Sequence, residues 1–245
     1  MKRFVSILLI MLLAISFVGC NANKKENNGE NAESTPVSYR EQLEQVFIKE
    51  KENALYYNGV DQDYSYVAYI NDIEEKPELT IITMDGTMLN IINENSAPQT
   101  FSVQYIINNN SIREIIKNYD LYKSNGNMET LNSIIPNQVI LQGPLEEGNL
   151  WFQKFNYNGR EYSAQTTLTK VSENEEGKKI YRTETVVKNI EGFPNNTYTE
   201  IRVYEEGKGL VLFQNSQPEN GSNEKSKASM FKYKLNSIQK VEDAK

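Results

Sequence analysis

One thiol and no imidazole delimit the chemistry open to this chain: Cys20 is its single cysteine, and histidine is absent from all 245 residues. Nucleophilic relays of the Ser-His-Asp or Cys-His kind, histidine-ligated zinc and intrachain disulfides are therefore excluded. Acid–base work would fall to carboxylates. The pairs Glu146/Glu147, Glu173/Glu175 and Glu205/Glu206 are of the type that supplies an acid and a nucleophile in glycoside hydrolysis, where two carboxyls flank one bond. All three lie beside glycine or in polar runs, the composition of a solvated turn, and no catalytic residue is assigned. Asp61, Asp63 and Glu94 offer the oxygens that calcium takes, but no Asp-x-Asp-x-Asp-Gly loop with a distal glutamate is present. Gly207-Lys208-Gly209 lacks the spacing and the following Ser/Thr of a phosphate loop and reads better as a hairpin turn. No metal and no cofactor is expected.

Aromatic residues are the remaining candidates. Tyr56, Tyr57, Tyr64, Tyr66 and Tyr69 cluster in the first half, and Trp151, Phe152, Phe155, Tyr157 and Tyr162 answer them in the second. Two readings stay open. Tyr56, Tyr57, Tyr64, Tyr66, Trp151, Tyr157 and Tyr162 line a groove for a peptide, glycan or lipid, their polar tips giving orientation; or the same rings pack within the sheet as cross-strand pairs.

The address of the chain is written in its first twenty residues. Lys2 and Arg3 precede an apolar stretch from Phe4 to Phe17, and Leu13-Ala14-Ile15-Ser16-Phe17-Val18-Gly19 runs into Cys20. A run of roughly 15 apolar residues falls short of the ~20 that a helix needs to cross a bilayer, which favours a cleaved signal. The arrangement resembles a bacterial lipoprotein signal. That resemblance implies cleavage between Gly19 and Cys20, removal of residues 1–19, a diacylglycerol thioether on Cys20 and retention at the extracytoplasmic face of the cell membrane. Loss of Lys2 and Arg3 with the signal takes the formal charge from −7 to −9. Such an acidic body repels nucleic-acid phosphates and anionic headgroups, so acyl chains and not a basic patch would hold it at the membrane.

Beyond the cysteine, residues 20–38 are rich in Asn, Lys, Glu and Ser with almost nothing apolar, the composition of a disordered tether. Residues 39–245 form the predicted folded domain, with possible halves at 39–135 and 136–245. Period-two alternation predicts strands. Phe101, Val103, Tyr105 and Ile107 share one face; Phe231, Tyr233 and Leu235 another; Tyr64, Tyr66, Ala68 and Ile70 a third; Tyr181, Thr183, Thr185 and Val187 a fourth. Turns are expected at Asp85-Gly86, between 79–83 and 88–92, at Asn158-Gly159, and at Glu206 to Gly209, with a long exposed loop over 215–226. Leu43, Val46 and Phe47 at helical spacing predict a short amphipathic helix within 39–51. Ser111 to Asn118 suits either helix or strand.

The segment 48–57, followed by Asn58-Gly59, is loosely echoed by 145–152, followed after a strand by Asn158-Gly159. Either a duplicated half or the shared vocabulary of hairpins accounts for it. Leu141-Gln142-Gly143-Pro144-Leu145-Glu146-Glu147-Gly148-Asn149-Leu150-Trp151 and Tyr204-Glu205-Glu206-Gly207-Lys208-Gly209-Leu210-Val211 resemble a pattern of uncharacterised β-rich lipoproteins of low-GC Gram-positive bacteria. In that group the pattern marks strand starts and turns and carries no catalytic or ligand residue. The expected fold is mainly β, an antiparallel curved sheet or open β-barrel with a short N-terminal helix. The expected function is that of a membrane-anchored cell-envelope module, non-catalytic, binding an envelope protein, peptide, glycan or lipid or assembling with one; a carboxylate-dependent enzyme acting on cell-wall glycans is the alternative.

Overall fold

Twelve strands follow one another around a single antiparallel sheet that curls into a nearly closed barrel. The computed structural model describes residues 37–60, 65–89, 100–117, 133–218 and 230–241. A short helix α1 (Arg40–Glu44) is followed by β1 (Asn53–Gly59), β2 (Ser65–Glu75), β3 (Leu79–Met88), β4 (Thr100–Asn108), β5 (Ser111–Lys117) and β6 (Asn137–Gln142). Then come β7 (Leu150–Tyr157), β8 (Arg160–Glu173), β9 (Lys179–Lys188), β10 (Thr197–Glu205), β11 (Gly209–Ser216) and β12 (Met230–Lys240). Strands β1 to β6 pair in sequence order, as do β7 to β12, and β12 pairs with β1. The backbone ladder is interrupted only between β6 and β7. The echoed segments thus fall on β1 and β7, the first strands of two consecutive runs of six.

Alternation does what period two requires. Val103, Tyr105 and Ile107 on β4, Tyr66, Ala68 and Ile70 on β2, Tyr181, Thr183, Thr185 and Val187 on β9, and Phe231 and Tyr233 on β12 are all buried, so the four predicted faces point inward. Tyr64, grouped with the β2 face, lies outside the described residues. The ambiguous stretch after Ser111 is strand β5, its Ile112, Glu114 and Ile116 inward.

Asn158-Gly159 is the tight turn expected of it: both residues have positive φ (48° and 78°), and the β7–β8 pairing runs down to Tyr157↔Arg160. Glu206 to Gly209 is likewise a turn, with Gly207 and Gly209 at φ 76° and 77°. Asp85-Gly86 is not a turn. Both residues lie inside β3, paired with Tyr69 and Ala68 of β2 and with Ser102 and Phe101 of β4. The glycine serves proximity: a Cβ there would sit 2.1 Å from Cζ of Phe101, whose ring covers the site. The loop expected from 215 starts later, because Asn215 and Ser216 are buried residues of β11 and Gln217 is buried after them.

The predicted N-terminal helix is real and brief. It ends at Glu44, so of the three residues expected on its face only Leu43 is helical; Val46 and Phe47 are buried in the turn that follows, and the Phe47 ring lies 4.4 Å from that of Tyr105 inside the barrel. This segment closes one pole. Gly207 and Gly209 donate their N–H groups to the carbonyls of Gln45 and Val46, both at 2.8 Å. Arg40 donates to the carbonyls of Pro77 (2.7 Å) and Lys76 (3.0 Å). Glu44 accepts from Arg40 (2.8 Å) and Thr80 (2.6 Å). Burial alone would raise the Glu44 pKa, but these bonds and one from Lys49 outweigh it and hold the carboxyl at about 2.

Candidate functional site

β10 reverses the usual rule of apolar in, polar out. Its residues Tyr198, Glu200, Arg202 and Tyr204 are buried, while Thr199, Ile201 and Val203 face outward and are half-buried. Register explains it: Tyr181, Thr183, Thr185 and Val187 of β9 stand opposite Tyr204, Arg202, Glu200 and Tyr198, and the inward face of one strand fixes that of the next.

Arg202 is the centre of the arrangement. Its Nε donates to Glu200 Oε1 at 2.6 Å, Nη1 to Glu114 Oε1 at 2.9 Å, and Nη2 to Gln138 Oε1 at 3.0 Å. Nη1 also reaches the Tyr204 hydroxyl at 3.4 Å, and the guanidinium lies 5.2 Å from the centre of the Phe213 ring. Tyr198 donates to the second oxygen of Glu200 at 2.6 Å. Gln138 passes the network on to Thr185 at 3.2 Å, and Thr185 to Thr166 at 2.9 Å. Side chains from β5, β6, β8, β9 and β10 are thereby tied together across the interior.

Burial works against the charge of Arg202, but the carboxylates of Glu114 and Glu200 reverse the balance and push its pKa up. The tyrosines around it respond as neutral groups should: burial, reinforced by the Glu114 charge, raises the pKa values of Tyr57 and Tyr105. Tyr198 and Tyr204 are raised as well, again chiefly by burial.

Beside this network lies a cavity of about 30 Å³, lined among others by Glu114, Tyr57, Tyr66, Tyr105 and Tyr233. Tyr57 and Tyr66, two of the seven groove candidates, meet here as a stacked pair 4.5 Å apart. Of the other candidates, the four described ones do not line this cavity. Tyr56 is on the opposite face of β1 and half-exposed. Trp151 is buried at the β6–β7 gap, whereas Tyr157 and Tyr162 pack on a second cluster around Phe155, Phe193 and Tyr198. Tyr64 lies outside the described residues, as do Gly19, Cys20, Asp61, Asp63 and Glu94. Among the described residues no group of three or more carboxylates could hold a metal ion.

The β6–β7 gap is closed by side chains in place of a ladder. Asn149 Nδ2 donates to the carbonyls of Gln142 (2.7 Å) and Pro144 (2.9 Å), and Trp151 Nε1 donates to Val139 O at 2.9 Å. Gln153 accepts from Val139 N at 2.8 Å and donates to Asn137 O. Alternate residues of one strand thus satisfy the free edge of the other, which protects an edge from outside pairing. The Leu141–Trp151 motif carries this gap, and the Tyr204–Val211 motif carries the turn that docks α1.

The carboxylate pairs weighed for catalysis lie at strand ends and in the connections between strands, Glu173 and Glu205 being the last residues of β8 and β10. Glu146 and Glu147 are exposed, Glu173 pairs with Lys179, and Glu205 pairs with Lys208 at 2.6 Å. Glu206 accepts from the Lys179 backbone at 2.9 Å and from the Tyr181 hydroxyl at 3.2 Å.

No family model matches the chain, and no curated protein matches it. Among solved structures it is similar to a Bacteroides fragilis protein assigned as exported and as having a YmcC-like fold, at 13% identity and a TM-score of 0.45, over 79% of this chain and 98% of that one. A Parabacteroides distasonis protein assigned as a lipoprotein is similar at 9% identity and a TM-score of 0.41, with the same coverage. Overlaps this low say nothing of what the present chain binds or does.

Proposed function

We propose that this chain is a lipid-anchored, extracytoplasmic barrel that acts by binding or assembly within the cell envelope and not by catalysis. One observation carries the non-catalytic part: each of the three carboxylate pairs weighed for glycan hydrolysis lies at a strand end or in a connection between strands, and among the described residues the two buried carboxylates are both bonded to Arg202 beside a cavity of only about 30 Å³. A sugar ring does not fit such a space, whereas ligand sites of drug size run to roughly 300 Å³ or more. The anchor is supported by Lys2-Arg3, the apolar run and Gly19-Cys20. An envelope protein, peptide, glycan or lipid is the partner class, met on the outer surface.

The test takes the full chain in a Gram-positive host. Cys20→Ser is expected to release the protein from membranes and to abolish incorporation of labelled fatty acid; a membrane-bound, labelled variant overturns the anchor. On purified cell wall the native protein and the Glu146→Gln and Glu147→Gln variants are all expected to release no sugar. A glycan-releasing activity lost in either variant overturns the non-catalytic reading.

A further inference from the structure

The two buried carboxylates of the interior are not equally served. Glu200 has both oxygens engaged, one by Arg202 and one by Tyr198, each at 2.6 Å. Glu114 accepts from Arg202 through Oε1 at 2.9 Å, and among the described residues no donor reaches its Oε2, although the residue is only 4% exposed. The hydroxyl of Tyr105, equally interior, has no hydrogen-bond partner among the described residues either. Both residues line the 30 Å³ cavity, and the rings of Tyr57, Tyr66, Phe101 and Tyr233 share its walls with four non-aromatic residues, Ala68 among them. Charge points the same way. Among the described residues the buried charged side chains are Glu114, Glu200 and Arg202, which leaves a formal charge of −1 in the interior, and a buried charge without compensation is costly.

We propose that this cavity is a binding site for a small primary ammonium ion, ammonium itself or methylammonium, which donates to Glu114 Oε2 and the Tyr105 hydroxyl and rests its charge on the surrounding ring faces. Such an ion brings the donors that the carboxylate lacks and cancels the excess charge. Aromatic faces attract ammonium groups, and recognition of organic cations in cages of Tyr, Trp and Phe rests on this attraction. A cavity of this volume admits about two water-sized groups, since one needs ~10–15 Å³. That suits one carbon and one nitrogen and excludes a quaternary ion. A hard metal cation would want a shell of oxygens that walls of aromatic and other apolar residues do not offer. The site stands on the barrel interior and is independent of the anchor.

The test is thermal unfolding of the purified full chain, titrated with methylammonium chloride or ammonium chloride and, at equal ionic strength, with sodium chloride, tetramethylammonium chloride and sodium chloride plus methanol. Methylammonium and ammonium are expected to raise Tm saturably, and the other three to leave no saturable rise. Glu114→Gln is expected to abolish the rise, and so is Ala68→Val, which fills the cavity from its lining without touching the carboxylate. If Glu114→Gln fails to fold, Ala68→Val decides. A methylammonium response no larger than that of sodium chloride or methanol, or one that persists in the folded variants, overturns the proposal and leaves the cavity to water.

Discussion

Replacing Arg202 by Met removes the only buried cation among the described residues and leaves two carboxylates facing each other in the barrel interior. The side chain now makes four hydrogen bonds, to Glu200, Glu114, Gln138 and Tyr204, and lies over Phe213. Removing one member of a buried ion pair costs about 3–5 kcal/mol, because the partner is left buried and uncompensated. For a domain of this size 1 kcal/mol moves Tm by ~2–4 °C, so a drop of about 6–20 °C is expected. The charge-free triple variant Glu114→Gln, Glu200→Gln, Arg202→Met separates loss of charge balance from loss of packing. It retains an acceptor for Tyr198 and buries no charge, and is expected to lose less than the single variant. Urea unfolding followed by circular dichroism and by Trp151 fluorescence measures both. A loss below ~1 kcal/mol in the single variant would refute the reasoning, since a buried pair could not then be supporting the interior; so would a triple variant no more stable than the single one.

Gly86→Ala is expected to destabilise by about 1–3 kcal/mol through collision with Phe101, and Phe101→Leu in the same chain should recover part of the loss, read as coupling in a double-mutant cycle. Because the folded pKa of Glu44 is about 2, below the ordinary 4.5, its contribution to stability is complete above about pH 4.5 and fades as pH falls toward 2; Glu44→Gln should lose that contribution and flatten the acid limb of the stability–pH curve. The buried tyrosines behave with the opposite sign. Tyr57, Tyr105, Tyr198 and Tyr204 have folded pKa values raised above the ordinary 10, so the stability they lend is intact below pH 10 and lost as pH climbs beyond it. Absorbance near the tyrosinate band should therefore show a class of tyrosines that ionises only as the barrel unfolds.

Much of the barrel is legible along the chain because period two is local. The faces of β2, β4, β9 and β12 and the Asn158-Gly159 turn follow from side-chain alternation and from the φ that Asn and Gly tolerate. Asp85-Gly86 misleads because a glycine needed for close approach and one needed for positive φ look the same in sequence; only the pairing with Phe101 tells them apart. The interior network was hidden by the same logic. In Tyr198-Thr199-Glu200-Ile201-Arg202-Val203-Tyr204 the aliphatic residues suggest a core face, yet the ladder to β9 turns Glu200 and Arg202 inward. Had the β9 face been carried across the 189–196 connection, the charged face would have followed. Glu114 and Gln138 give no comparable signal, because each meets Arg202 only through contacts 88 and 64 residues away. The described aromatic candidates divide for the same reason, Tyr57, Tyr66 and Trp151 in one cluster, Tyr157 and Tyr162 against the other and Tyr56 on the outer face: sequence proximity does not say on which side of a closed wall a ring falls.

The state of Cys20 decides whether the chain is anchored at the membrane, and intact-mass and peptide mass spectrometry of the native protein extracted from membranes reads it directly. The predicted result is a mature chain beginning at Cys20 and carrying a diacylglyceryl group on its sulfur. A chain that retains residues 1–19 with a free thiol would contradict it.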